Sequence, residues 1–314
     1  MGWRVVEGLT ALATLATLAG FLGRFSWWLE LTCHFRLQYA WALLSSTAVF
    51  ACGQRQELAL ASGCASALNF ATIAPYYLPR RRSDAGVPIR IILANVYKNN
   101  RDHARLQRLL EDEAPDLVML QEVNEPWLVA LRRLQPMFPY GKALPRPDGF
   151  GMMLLSRWPL ERAEVVRIGP IAVPSIVAQV RVHERLLRVL ATHPFAPSGA
   201  SRAALRIQQL RGVAEWVRCQ PRPVMVLADL NLTSWSPWFR DLIHTAGLRD
   251  SRLGLGLQGS WPSMLPAPLR IPIDHCLVSP DIMVGGRRLG PNIGSDHLPV
   301  IIDCRLPGRS EATA

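Results

Sequence analysis

"PVMVLADLN", residues 223–231, runs apolar through Ala228 and then turns polar at Asp229 and Asn231. An apolar run of this length, bounded by turn residues, reads as a strand buried on both faces. A carboxylate has no place inside such a strand, so Asp229 marks the end that reaches the surface. Asp229 and Asn231 lie two apart, and on an extended segment they point to the same face.

The same grammar recurs along the chain. Strand-like runs cover 89–97, 117–123, 149–156, 185–193, 271–279 and 298–303. The first ends near Asn95, the second in Gln121 and Glu122, the run at 185–193 in His193, and the run at 271–279 carries Asp274 and His275. The turn "GSDHLPV", 294–300, sets Asp296 and His297 directly before the last run. Any one of these is an ordinary cap or turn residue. Six strand ends that all carry carboxylate, carboxamide or imidazole groups describe one rim and one site. Helical spacing appears at 101–116, through Leu106, Leu109 and Leu110, and at 199–219, through Leu205, Leu210, Val213 and Trp216. The class is α/β in the broad (α+β) sense, with strands too many and too unevenly spaced for simple alternating βαβ units.

Oxygen donors without thiolates suit Mg²⁺, with Mn²⁺ as the substitute, and Mg²⁺ binds through one or two carboxylates plus substrate phosphate. The six cysteines form no CxxC pair and the histidines no HxxxH pair, so zinc has no spacing to support it. These ligands point to metal-assisted hydrolysis of a phosphoester. Other polar and aromatic residues read as structural. His275 faces away from Asp274 and is expected to pack, while His103, His183 and His244 are expected to be solvated. Trp235, Trp238 and Trp261 read as core residues, with Trp235, just behind Asn231, a candidate border of the cleft.

Seven stretches, "NVYKNN" (95–100), "LQEV" (120–123), "LLSRWPL" (154–160), "THPFAP" (192–197), "ADLNLTSWSPWF" (228–239), "PIDHCLV" (272–278) and "GSDHLPV", resemble in order and approximate spacing the motifs of the endonuclease/exonuclease/phosphatase superfamily. That superfamily includes pancreatic-type deoxyribonuclease, exonuclease III, sphingomyelinases and inositol-polyphosphate 5-phosphatases, and the likeness is nearest to its membrane-anchored bacterial members. The resemblance implies a four-layered α/β sandwich of two packed, mainly antiparallel sheets over residues 88–305, followed by a flexible tail at 306–314. It implies that Glu122, with Asn95 and Asp296, holds the metal. Asp229 and Asn231 would position the attacking water and the phosphate oxygens. His297, held by Asp274, would meet the charge on phosphorus, while His193 and Arg157 would contact the phosphate. Whether Asp229 or His297 takes the proton of the water is open. A nuclease-like phosphodiesterase is the leading expectation, a phospholipid or inositol-phosphate hydrolase of the same fold the alternative, and an inactive scaffold a distant third. The partners expected are a phosphoester substrate, nucleic acid among them, and a bilayer; no protein partner is deducible.

The bilayer is expected from the N-terminus. The chain of 314 residues is 49% hydrophobic, and uncharged stretches at 8–23, 39–52 and 58–79 read as a membrane anchor of two to three helices over 1–79, the middle one being the least secure. Trp27, Trp28, Tyr76 and Tyr77 fall at segment ends, where amphipathic rings favour the interface. The polar stretch at 80–87 reads as a linker. Arg24, Arg36 and the triplet at 80–82 outweigh Arg4 and Arg55, which places the catalytic domain on the cytoplasmic side, of a bacterial inner membrane if the resemblance holds. A net charge of +11, carried almost wholly by arginine, suits phosphate-rich or anionic-membrane partners.

Overall fold

The apolar N-terminal stretches form helices: α1 (Gly2–Ala19), α2 (Trp27–Thr32), α3 (Arg36–Cys52) and α4 (Gln56–Ile73) in a computed structural model that describes residues 2–80, 85–169 and 173–308. With their 3₁₀ extensions, Gly2–Leu22 and Gln56–Tyr76 are each long and apolar enough to cross a membrane. Helix α3, of 17 residues, is shorter. At 1.5 Å per residue it spans about 25 Å, under the ~30 Å of a hydrocarbon core. Small polar residues join the three helices: Thr47 meets Ser62 at 3.0 Å, Ser66 donates to the Ala40 carbonyl at 2.8 Å, and Asn69 donates to Thr17 Oγ1 at 2.9 Å. These hydrogen bonds tie α1, α3 and α4 to one another. The outward faces stay apolar, with Leu9, Leu12 and Leu15 each more than 60% exposed.

The remainder is built on β1 (Val87–Asn95), α5 (His103–Glu113), β2 (Leu117–Gln121), α6 (Glu125–Leu131), β3 (Tyr140–Leu144), β4 (Met152–Ser156), β5 (Leu160–Arg167), β6 (Pro174–Val182), β7 (Arg185–Thr192), α7 (Ala200–Arg218), β8 (Val224–Asp229), α8 (Pro237–Ala246), β9 (Arg249–Asp250), β10 (Asp274–Val278), β11 (Met283–Leu289) and β12 (Val300–Leu306). They form two six-stranded sheets, in the orders β11-β12-β1-β2-β4-β3 and β5-β6-β7-β8-β10-β9. Each sheet has one parallel pair, β1 with β2 and β7 with β8, and is otherwise antiparallel. Ile91, Leu93 and Met119 of the first sheet meet Val180, Val189 and Leu227 of the second in the central core. The outer faces are covered by α5 and α6 on one side, through Leu106, Leu110 and Trp127, and by α7 and α8 on the other, through Leu210, Val213 and Phe239. The sandwich is therefore four-layered, and the two parallel pairs lie at its middle with their carboxyl ends on one rim.

Two expected boundaries move. Leu306 is buried and pairs with Val87, so the sheet extends one residue beyond both ends of the expected 88–305 unit. Half of the expected linker, 81–84, and most of the expected tail, 309–314, lie outside the described residues.

The N-terminal helices do not hang free of the sandwich. Glu30 in α2 is completely buried, where its carboxylate pairs with Arg206 of α7 and accepts from Ser236 Oγ at 2.6 Å. Burial pushes the Glu30 carboxyl up and pulls the Arg206 guanidinium down, in both cases against the pull of the partner. A pair so placed holds geometry more than it adds stability, but losing one member strands the other charge. Replacing Glu30 by Ala is expected to destabilise the full chain by about 3–5 kcal/mol, with a matching fall in Tm. The double variant Glu30→Ala/Arg206→Met should regain most of that loss; an unchanged Tm in the single variant would refute the docking.

A second buried pair fixes the loop after β9. Arg252 binds Asp250 at 2.8 Å, Ser234 and the Pro272 carbonyl. Burial alone would raise the Asp250 carboxyl, but the Arg252 charge and hydrogen bond outweigh it and hold it well below the ordinary range. A depressed folded-state pKa gives stability that is present above an unfolded value of ~3.9 and is lost as pH falls below it. Asp250→Asn should therefore lower Tm at pH 7 and flatten its decline between pH 5 and 3, measured by thermal unfolding across pH.

Candidate active site

The carboxyl ends of β1, β2, β7 and β8 converge with the start of β10 and the turn before β12, and Asp229 sits where they meet. It is the last residue of β8, register partner of Asp274 on β10, and 1% exposed. Its Oδ1 accepts from the Asn231 N–H at 2.9 Å. Its Oδ2 is surrounded by Asn95 Nδ2 at 3.3 Å, His193 Nε2 at 3.4 Å and His297 Nε2 at 3.6 Å. Burial would raise the carboxyl, but the charge of His297 and the hydrogen bond from His193 win and bring it to about 2. A carboxylate at this depth keeps its charge only because such donors encircle it.

The two histidines answer to the same carboxylate. His297 Nδ1 bonds Asp274 Oδ2 at 2.9 Å, which turns Nε2 toward Asp229. Burial would lower the imidazole, but Asp274 and Asp229 raise it to about 10, leaving a buried imidazolium at neutral pH. His193 is likewise held above its usual value: burial pulls it down, and the hydrogen bond and charge of Asp229, with the charge of Glu122, more than offset that. Asn231 Nδ2 lies 3.3 Å from His193 Nε2 and donates to the Pro194 carbonyl at 2.9 Å.

Glu122 follows β2 in a left-handed conformation, φ +61°, and Asn231 has φ +53°. Non-glycine residues held there carry strain that the surroundings must enforce, a common mark of functional positions. Asn231 is thus not on an extended continuation of β8, as its spacing from Asp229 predicts; the chain bends at Asn231 and the side chain reaches the site from the bend. Glu122 Oε1 accepts from Asn95 Nδ2 at 3.0 Å and Oε2 from the Lys98 N–H at 3.2 Å. Asp296 Oδ2 accepts from Trp261 Nε1 at 3.3 Å. Among the described residues neither Glu122 nor Asp296 has a Lys, Arg or His nitrogen at ion-pair distance, and both line the cleft.

Two donor sets could hold a metal. The buried group Asp229, Asp274 and His297 brings one ligand-type atom from each within 4.8 Å of the others, consistent with a divalent metal site. With Nδ1 bonded to Asp274 and Nε2 at ion-pair distance from Asp229, however, His297 is held as an imidazolium, which has no lone pair to give. The carboxylates of Glu122 and Asp296, which face the cleft without a cation, have the oxygen chemistry that suits Mg²⁺ or Mn²⁺. Asn95 links the two sets: its Nδ2 bridges Glu122 and Asp229, and its Oδ1 accepts from the Tyr97 N–H at 3.0 Å.

Eight of the nine sequence-predicted site residues meet at this rim: Asn95, Glu122, His193, Asp229, Asn231, Asp274, Asp296 and His297. Arg157 does not. It follows Ser156, which pairs with Leu117 at the start of β2, whereas the site lies at the Gln121 and Met152 end. Antiparallel pairing of β4 with β2 thus carries Arg157 to the opposite end of the sheet. Lys98 and Arg202 are the cations that line the cleft. Trp261, expected in the core, lines the cleft, while Trp235, the expected border, is buried against Tyr76 and donates to the Thr72 carbonyl at 3.2 Å. His275 packs as expected, its Nε2 on the Leu232 carbonyl at 2.8 Å. His183 and His244 are exposed, but His103 is half-buried against Trp127.

Sequence reasoning missed the supports. Ser295 Oγ donates to the Asn95 carbonyl at 2.7 Å and accepts from the His297 N–H at 3.1 Å, so it ties β1 to the imidazole. Asn100 Nδ2 donates to the Val96 and Ile293 carbonyls and presses on Gly294, φ +85°, where an added Cβ would fall 2.7 Å from Asn100 Oδ1. It also missed Leu31, His34 and Phe35, which line the cleft from the N-terminal segment. The stretch "GSDH" held the first signal; nothing in the sequence pointed to the second.

The family model "Endonuclease/Exonuclease/phosphatase family" matches residues 92–297. No curated protein matches the chain. Among solved structures, the endonuclease/exonuclease/phosphatase of Beutenbergia cavernae superposes with TM-score 0.58 at 22% identity, over 73% of this chain and 72% of that one. D. rerio TDP2 complexed with single strand DNA product gives 0.58 at 20% identity, over 69% and 99%. Sphingomyelinase C from Streptomyces griseocarneus gives 0.53 at 19% identity, over 69% and 99%. These likenesses concern the fold, and the family match spans every rim residue from Asn95 to His297. The chain belongs to the endonuclease/exonuclease/phosphatase family of metal-dependent phosphoester hydrolases.

Proposed function

We propose that the protein is a membrane-anchored phosphodiesterase that cleaves by in-line attack of water on phosphorus. The observation that carries this reading is the ring of donors on Asp229 beside two cleft-facing carboxylates that lack a cation. Glu122 and Asp296, with the side-chain oxygen of Asn95, would hold Mg²⁺ or Mn²⁺, which when bound supplies charge neutralisation on the phosphate. Asp229, held ionised, orients the water and is a weak base for it. The imidazolium of His297, fixed by Asp274, donates to a phosphoryl oxygen as negative charge grows there. His193 and Asn231 make a second donor pair on the same face, and Lys98 and Arg202 are the cleft cations available to a phosphate.

The anchor rests on physical ground of the same kind. Of the 25 exposed large hydrophobics among the described residues, 19 lie between Trp3 and Leu78, far more apolar surface than a water-facing bundle sustains. At the far end of the helices Arg55 pairs with Glu7 and stacks on Trp3 at 4.4 Å. At the near end Arg24 binds Asp241 of α8 at 2.7 Å. This arrangement supports a topology with the N-terminus and the turn at 53–55 on one face of a membrane and the sandwich on the other, the cytoplasmic face by the bias of basic residues.

Three outcomes follow. The detergent-solubilised protein should hydrolyse bis(p-nitrophenyl) phosphate with Mg²⁺, lose that activity in EDTA and regain it on readdition. Glu122→Ala and His297→Ala should each lower kcat by roughly 10²–10⁴-fold with an unchanged circular-dichroism spectrum; full activity in both would refute the site. Protease added to intact bacterial cells should leave the sandwich whole, and its digestion would reverse the orientation.

A further inference from the structure

The cleft above the site, about 590 Å³, is not made by the sandwich alone. Leu31, His34 and Phe35, from the end of α2 and the residues before α3, line it together with Phe150, Trp261 and Ile271 of the sandwich. The N-terminal wall is fastened to the catalytic loop itself. Arg206, which holds Glu30, also donates to the Asn231 carbonyl at 2.5 Å, and His34 Nδ1 lies 3.0 Å from Thr233 Oγ1. His34 is 5% exposed, and its Nδ1 also accepts from the Thr233 backbone N–H at 3.4 Å. That bond leaves the proton on Nε2, which is buried at the cleft wall without a hydrogen-bond partner among the described residues. Burial, with the nearby Arg206 and Arg36 charges, lowers this imidazole to about 3, so it is a neutral donor.

The mouth of the cleft is apolar and continuous with the helices. Gln38 Nε2, in the first turn of α3, donates to the Pro268 carbonyl at 2.8 Å and so joins α3 to the loop after Trp261. That loop exposes Met264 and Leu269, and the adjoining N-terminal residues expose Phe25, Trp28, Phe35 and Trp41. Four carboxylates line the cleft, Glu122, Asp148, Asp229 and Asp296, and outside the two histidines held on Asp229 its cations are Lys98 and Arg202. A long polyanion needs a basic track along its backbone, which this lining does not offer.

We propose that Leu31, His34 and Phe35 form the substrate-selecting wall of the active site, and that the substrate is a membrane lipid phosphodiester. Its apolar part stays on the rim shared with the bilayer, its phosphate lies on the donors around Asp229, and the His34 Nε2–H bonds a headgroup or linkage oxygen. Hydrolysis adds one water across the P–O bond, with the hydroxyl going to phosphorus and the proton to the departing alcohol. The proposal rests on the phosphodiesterase reading above, and bis(p-nitrophenyl) phosphate separates the two.

The test compares kcat/KM of the full chain, with Mg²⁺, for a phospholipid panel in mixed micelles (phosphatidylcholine, phosphatidylglycerol, phosphatidylethanolamine and sphingomyelin), for bis(p-nitrophenyl) phosphate and for single-stranded DNA. At least one lipid should be cleaved with a kcat/KM above that of either soluble substrate. Phe35→Ser, Leu31→Ser and His34→Phe should each lower the ratio of lipid to soluble-diester kcat/KM by tenfold or more, mostly through KM, and His34→Gln, which keeps a donor, should restore part of it. Native mass spectrometry should show less phospholipid retained by Phe35→Ser than by the unaltered chain, a readout that survives if turnover is slow. An unchanged ratio in all three variants, or cleavage of DNA without cleavage of any lipid, would overturn the proposal and leave the phosphodiesterase reading intact. No hydrolysis of the soluble diester or of any other substrate would instead overturn that reading and this one with it.

Discussion

A charged carboxylate at 1% exposure must be surrounded or it will not stay charged, and Asp229 is the point at which this requirement organises the molecule. Its donors come from both sheets: Asn95 from β1, His297 from the turn before β12, His193 from the end of β7, and its own loop. Neither sheet could satisfy it alone. The face-to-face packing of the sheets thus does more than bury Leu93 against Leu227; it sets the distance at which three donors reach one oxygen. The second carboxylate, Asp274, does the same for His297 by fixing which nitrogen faces Asp229.

Much of this was legible in the sequence because burial leaves a plain trace. A run such as Val224–Ala228 cannot end in Asp without a reason, and six such ends in one chain have a common one. The register of the strands was less legible. Arg157 looks like its neighbours in the motif, yet antiparallel pairing of β4 with β2 reverses the rim it serves. Asn231 keeps its predicted place near the site although its backbone bends into the left-handed region, because its side chain can bond His193 and Pro194 only from there. Periodicity carries no information on either point.

The union of the N-terminal helices with the site was not legible at all. Glu30 and Arg206 are 176 positions apart, and nothing local distinguishes either from a surface charge. Likewise the apolar character of Cys33, Trp235 and Tyr76 says that each is buried, without saying that they are buried together. Read as composition, residues 1–79 are an anchor; placed in three dimensions, their first connection is a wall of the cleft. The buried acid on the short helix between two long ones is what fastens that connection to the sandwich.

In the proposed site the cation sits on Glu122 and Asp296, and the Asp274–His297 pair is left to the phosphate. Anomalous diffraction from a crystal soaked in Mn²⁺ tests it most directly. A single strong peak within coordination distance of the Glu122 carboxylate is expected, with His297 Nδ1 still bonded to Asp274. A peak ligated by His297 and Asp274, with Glu122 turned away, would contradict it.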